Sequence, residues 1–232
     1  WLPSTIIPSV RPSAAFGELT GDSVEDIVSW AVETDPSSGN ITKVDWALWS
    51  NTSDFLDSQM EPTLILAENA SISDTTFSTA GVCDFNADGA GDLFLLAKRE
   101  GITPAFIAYG PINSDYPSLQ DLGEWHPSYG FQQKPFELVD LDSDGRCDIV
   151  LSSPEENKVH GFYSPFTSIS HEEANWTLTP GPSLFASNRG ILGYSFAAGD
   201  LNGDGYQDLV VGVPEGGDSG HGENQRLENS SA

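Results

Sequence analysis

The chain has 232 residues, with 35 Asp and Glu against 9 Lys and Arg and a formal net charge of -26 at pH 7. Nucleic-acid binding needs a positive face, which so acidic a chain does not offer, and an anionic membrane surface would repel it. No apolar run approaches the roughly 18 residues that cross a bilayer as a helix, so no transmembrane segment is expected in this chain.

In chain order, the lead Ala14-Ala15-Phe16-Gly17 runs into an acidic stretch from Glu18 to Asp26, then into Ile27-Val28-Ser29-Trp30. The same grammar returns as Ser78-Thr79-Ala80-Gly81-Val82, an acidic loop at 84–92 and Leu93-Phe94-Leu95-Leu96. A third copy reads Phe136-Glu137-Leu138-Val139, a loop at 140–148 and Ile149-Val150-Leu151. The fourth reads Ser195-Phe196-Ala197-Ala198-Gly199, a loop at 200–208 and Leu209-Val210-Val211-Gly212-Val213. Loop starts at 18, 84, 140 and 200 lie 66, 56 and 60 residues apart, a period that calls for a repeat architecture.

Short β-branched and aromatic runs bounded by Gly, Asn and Asp read as strands, which makes each loop a hairpin tip. A third strand is expected at Val44–Trp49, Ala105–Tyr109 and Val159–Tyr163. With a less regular outer segment this gives about four strands per repeat, the content of one propeller blade. No window holds the i, i+3, i+4, i+7 apolar pattern of an amphipathic helix. The chain is therefore expected to be all-β: a partial β-propeller of about three full blades plus the start of a fourth, each blade a four-stranded antiparallel sheet. The propeller segment is expected over 1–214 and a polar flexible tail over 215–232.

The three well-formed loops read D-x-[DN]-x-D-G-x-x-D. Oxygen ligands at alternate positions, with a glycine at the sixth, suit a loop wrapped around a hard cation, and calcium is the expected cofactor. The expected ligand sets are Asp84, Asn86, Asp88, the Ala90 carbonyl and Asp92; Asp140, Asp142, Asp144, the Arg146 carbonyl and Asp148; and Asp200, Asn202, Asp204, the Tyr206 carbonyl and Asp208. Gly205 is expected at positive φ, where a side chain would be strained. Copy one, with Glu18, Thr20, Asp22, the Val24 carbonyl and Asp26, has a longer first ligand and Ser23 in place of glycine, and is kept out of the expected sites. An EF-hand or dockerin loop would close with a glutamate at position twelve, where this chain has Leu95, Leu151 and Val211. Plain solvated turns would leave several carboxylates crowded together with nothing to offset their repulsion.

The segment Gly193 to Pro214 resembles the FG-GAP repeat of integrin α-subunit β-propellers. Copies two and three share the loop and the following strand but lack the terminal Gly-x-Pro, and copy one keeps Phe16-Gly17 and little of the metal loop. The resemblance implies a ring of mostly seven blades, of which this chain holds a portion, with the rest of a larger propeller as an expected partner. It also implies ligand binding on the face opposite the metal-bearing hairpins, the ligand being a protein or a glycan that no residue identifies.

Five Asn-x-Ser/Thr sequons occur, at Asn40, Asn51, Asn69, Asn175 and Asn229, against about two expected by chance, which favours a secreted or cell-surface location. Cys83 and Cys147 flank hairpin tips of neighbouring repeats and are expected to stay apart. Gly217-Asp218-Ser219-Gly220 resembles a serine-protease nucleophile motif, but it sits in the polar tail with His221 almost adjacent, which is no triad order. His126, His160 and His171 are scattered without metal-ligand spacing. Trp30, Trp46, Trp49, Trp125 and Trp176 could stack sugars, although strand tryptophans more often pack inside. The expected function is calcium-stabilised, non-catalytic adhesion or partner binding. The alternatives are an accessory propeller region of a secreted hydrolase similar to phosphatidylinositol-glycan-specific phospholipase D, or a lectin.

Overall fold

The computed structural model describes residues 14–34, 37, 41–50, 63–69, 75–99, 103–115, 117–125, 136–153, 156–180 and 192–213. The chain divides into two units, 1–123 and 124–232, which are taken one at a time.

In the first unit, β1 (Ala15–Gly17), β2 (Asp26–Thr34), β3 (Ile41–Trp49) and β4 (Leu64–Asn69) pair in chain order as an antiparallel meander. A second meander follows from β5 (Thr75–Cys83), β6 (Asp92–Arg99), β7 (Thr103–Ala108) and β8 (Gln120–Trp125), with the unit boundary inside β8. The run Leu93-Phe94-Leu95-Leu96 in β6 is buried throughout, as a central strand covered on both faces requires. Leu19, Val28, Leu48, Leu66, Leu93 and Ile112 belong to one core cluster drawn from both sheets. Each such leucine removed from water contributes roughly 1.5–3 kcal/mol, and this burial, not the polar loops, holds the two sheets together. Two backbone bonds fix the contact at the loops: Gly91 N–H to the Glu18 carbonyl (3.0 Å) and Ile112 N–H to the Leu19 carbonyl (2.6 Å).

The second unit contains β9 (Phe136–Val139), β10 (Asp148–Ser153), β11 (Lys158–Phe162) and β12 (Trp176–Leu178) in a third antiparallel meander, with a 3₁₀ turn at His171–Glu173 before β12. β13 (Ser195–Gly199) and β14 (Asp208–Gly212) form a two-stranded ladder. All six residues of β10 are buried. Val139, Val150, Val159, Leu192 and Val211 form the core that joins the ladder to the sheet.

Three four-stranded antiparallel sheets and the first hairpin of a fourth are the blade content expected from the repeats. The outer strands are where the sequence was least informative. β8 reads Gln-Asp-Leu-Gly-Glu-Trp, and its buried residues Leu122 and Trp125 are three apart, because Gly123 at φ +96 breaks the alternation. An outer strand with one wet side carries too few apolar residues to announce itself.

The cysteine expectation is overturned, since both Cys83 and Cys147 are disulfide-bonded. Divergence applies to the outer tips of hairpins. Cys83 instead ends β5, opposite Asp92 in the ladder, and Cys147 immediately precedes β10, so both sit at the roots of their loops. Trp1, Asn40, Asn51, His126, Asn229, Pro214 and the tail 215–232, including Gly217-Asp218-Ser219-Gly220 and His221, lie outside the described residues.

Candidate metal centre

All four acidic loops close on the same register. The residue before each loop pairs with its ninth: Gly17 with Asp26, Cys83 with Asp92, Val139 with Asp148 and Gly199 with Asp208. Between these anchors the sixth residue adopts positive φ at Gly89 (88), Gly145 (87) and Gly205 (89), as expected for Gly205. The fourth residue does the same at Ala87 (59), Ser143 (62) and Gly203 (79), a second left-handed turn with no sequence mark of its own. Together these two reversals curl backbone N–H groups inward, the arrangement that makes anion-holding nests.

The first carboxylate collects those N–H groups. Gly89 N–H donates to Asp84 Oδ2 (2.9 Å), Gly145 N–H to Asp140 Oδ2 (3.0 Å) and Gly205 N–H to Asp200 Oδ2 (2.9 Å). The fifth carboxylate accepts from the seventh residue, with Ala90 on Asp88 (2.8 Å), Arg146 on Asp144 (2.8 Å) and Tyr206 on Asp204 (2.9 Å). At the third position Asn86 and Asn202 take the fifth N–H on Oδ1, and each gives Nδ2 to the fifth carboxylate at 2.9 Å. These bonds tie the first, third and fifth side chains to the backbone of each turn.

The ninth carboxylate does more than close a ligand set. Its Oδ2 accepts the N–H of the second loop residue in every copy: Leu19 (2.8 Å), Phe85 (2.8 Å), Leu141 (2.9 Å) and Leu201 (2.9 Å). In loops two and three Oδ1 also takes an N–H two residues beyond the third strand, Gly110 on Asp92 (2.8 Å) and Ser164 on Asp148 (3.0 Å). Asp92 and Asp148 are thus buried braces between a hairpin and the next loop. Gly110 and Ser164 were not legible as partners because nothing in their own residue type marks the role.

Loop three brings the most carboxylate together: one oxygen from each of Asp140, Asp142 and Asp148 lies within 4.8 Å of the others. Burial pushes the Asp148 carboxyl up to about 6; the charges of Asp142 and Asp140 add to this, while the Ser164 and Leu141 N–H groups oppose it. Burial also raises Asp92, with Asp84 and Asp88 adding to the effect. Exposed Asp200 is instead lowered, chiefly by the Gly205 N–H. An all-oxygen donor set under mutual repulsion fits a hard divalent cation, since each oxygen keeps a lone pair beyond the backbone bond it accepts. Loop one is poorer: Ser23 sits at φ 65, and Glu18 Oε1 is taken by the Gly21 and Asp22 N–H groups. Asp26 there is buried with Oδ1 unpartnered.

Residues 192–226, spanning loop four and both strands of its hairpin, match the FG-GAP repeat model. The chain carries an FG-GAP repeat over these residues. It is 32% identical over 80 residues to mouse integrin alpha-3, an overlap covering 33% of this chain and 8% of the integrin. It is 27% identical over 146 residues to mouse phosphatidylinositol-glycan-specific phospholipase D, covering 56% of this chain and 17% of that protein. The rat counterpart is 27% identical over 148 residues with the same coverage. The chain therefore spans a small fraction of the length of these relatives.

Trp125 packs inside, as strand tryptophans more often do, while the histidine reading changes. Trp125 is fully buried, giving Nε1–H to the Ser152 carbonyl (2.9 Å) and packing edge-on to Phe162, so it cannot join a sugar platform. His160 and His171, eleven residues apart and read as scattered, stack with ring centroids 4.7 Å apart. The β11 strand and the 3₁₀ turn bring them together, a pairing that sequence spacing does not encode. Among the described residues no helix is long and apolar enough to cross a membrane.

Proposed function

We propose that this chain is part of a calcium-stabilised FG-GAP propeller that binds a protein or glycan partner outside the cell and carries out no catalysis. The observation that carries the reading is the convergence of Asp140, Asp142 and buried Asp148, whose shared charge calls for a cation. Asp140, Asp142, Asp144 and Asp148, with the Arg146 carbonyl, would hold calcium in loop three; Asp84, Asn86, Asp88, Asp92 and the Ala90 carbonyl in loop two; Asp200, Asn202, Asp204, Asp208 and the Tyr206 carbonyl in loop four. Bound there, calcium supplies positive charge that offsets carboxylate repulsion at the hairpin tips. Extracellular calcium modules bind in the range of about 10⁻⁴–10⁻³ M, which suits the exposed, partly solvated loops. The sequons and the integrin relative support the extracellular setting.

Thermal melts in calcium and in calcium-free buffer test the reading, and their pH dependence sharpens it. In calcium-free buffer burial holds the Asp148 carboxyl of the folded chain up at about 6, against an ordinary value of 3.8. Between those values the folded chain holds more protons than the unfolded one, so Asp148 contributes stability that is full below about 4 and lost as pH rises through 6, up to about 3 kcal/mol. Saturating calcium holds the ionised form and should flatten or reverse that slope. Identical melts with and without calcium at pH 5 and pH 7 would contradict the proposal.

A second reading, an accessory propeller region of a hydrolase, is favoured by the 146-residue match to phosphatidylinositol-glycan-specific phospholipase D. The sequence flanking this chain separates the two, because the second requires a catalytic domain in the same protein.

A further inference from the structure

We propose that Glu156, His160 and His171 form a second metal site, distinct in chemistry from the acidic loops, that takes a late first-row divalent cation of the zinc type. One donor atom from each side chain lies within 4.8 Å of the other two. The imidazoles stack at an interplanar angle of 22°, and Trp125 covers both, with centroid distances of 5.3 Å to His160 and 4.4 Å to His171.

The observation that points to a ligand is the state of the ring nitrogens. His160 is buried at 2% exposure, its Nδ1 is paired with Thr177 Oγ1 at 3.1 Å, and its Nε2 has no hydrogen-bond partner. That Nε2 instead faces Glu156 Oε2 at 3.9 Å, too far for a hydrogen bond in either tautomer. His171 repeats the pattern: Nδ1 pairs with Glu156 Oε1 at 3.0 Å, and its buried Nε2 is unpartnered. The buried, unpartnered His160 Nε2, with the Glu156 carboxylate and the His171 imidazole beside it, makes a nitrogen-rich set that suits zinc and not calcium. Burial and the His171 charge hold His160 well below the usual histidine range, to about 4, so the ring is neutral and its lone pair free near pH 7.

A tetrahedral zinc ion keeps its donors about 3.3 Å apart, closer than the present spread. Glu156, the most exposed of the three side chains, has the room to move toward the packed imidazoles. Thr177 is placed as the outer partner that orients the His160 ring. Lys158 Nζ pairs with Glu156 Oε2 at 2.9 Å and must release that oxygen, a competition that weakens the site without removing it. Occupied, the site would clamp the β10–β11 turn, β11 and the 3₁₀ turn to one another.

The test is calorimetric titration of the whole chain with Zn²⁺ at pH 7.5 in saturating calcium, which keeps the acidic loops occupied. One zinc equivalent is expected, with a zinc-dependent rise in melting temperature and a visible absorption band when Co²⁺ replaces zinc. His171→Ala should weaken binding by at least about tenfold, since even outer-partner losses cost 10–100-fold, and should abolish the zinc-dependent rise in melting. Asp142→Asn, which touches only the calcium loop, should leave the zinc event unchanged. Absence of a one-equivalent event, or equal titrations for the wild type and His171→Ala, would overturn the proposal and leave the pair as a packed core element.

Discussion

Asp148→Ala is expected to destabilise the chain by roughly 2–5 kcal/mol in calcium-containing buffer, because it strands two backbone N–H groups at about 1–3 kcal/mol each. The Leu141 and Ser164 N–H groups both end on this carboxylate, and the side chain is fully buried, so water cannot replace either bond cheaply. The comparison is Asp208→Ala, the same position in loop four. There the carboxylate accepts only the exposed Leu201 N–H, so apart from the calcium contribution that both positions share, the change costs under about 1 kcal/mol. Urea denaturation midpoints read the difference directly. Equal costs at the two positions would mean that the ninth carboxylate acts as a ligand alone and not as a brace.

Gly91→Ala should cost about 2–4 kcal/mol, near the upper end for overpacking, because the clash is with backbone. A Cβ at Gly91 would fall inside van der Waals contact of the Glu18 carbonyl oxygen and 2.9 Å from Val82 Cγ1. It would also force apart the Gly91 N–H bond to that same carbonyl, which links loop two to loop one. Gly199→Ala is the control, since nothing lies within 4 Å of its added Cβ, and its effect should stay within about 0.5 kcal/mol. A Gly91→Ala chain that melts with the wild type would show that the two loops do not bear on each other.

The central strands and hairpin tips were legible because two strong signals coincide there: continuous apolar runs such as Leu93–Leu96, and ligand residues repeated at fixed offsets. The outer strands were not, since β12 has three residues and β8 carries its buried side chains three apart. Within the loops, the sixth-position glycine announced its left-handed turn, while the same turn at Ala87 and Ser143 had no sequence signal. The double duty of Asp92 and Asp148 was hidden because their second partners, Gly110 and Ser164, lie 18 and 16 residues downstream. The histidine cluster was hidden for the same reason, because its donors come from a turn, a strand and a 3₁₀ segment that only the folded sheet assembles. Local ligand spacing reads from sequence, and long-range convergence does not.

The central claim is that the acidic hairpin tips hold calcium, and equilibrium dialysis of the chain against millimolar calcium at pH 7 measures it directly. About three calcium ions per chain are predicted, falling by one in Asp142→Asn and again by one when Asp88→Asn is added. A chain that retains no calcium above background at millimolar concentrations, or one whose bound calcium is unchanged by both substitutions, would contradict the account.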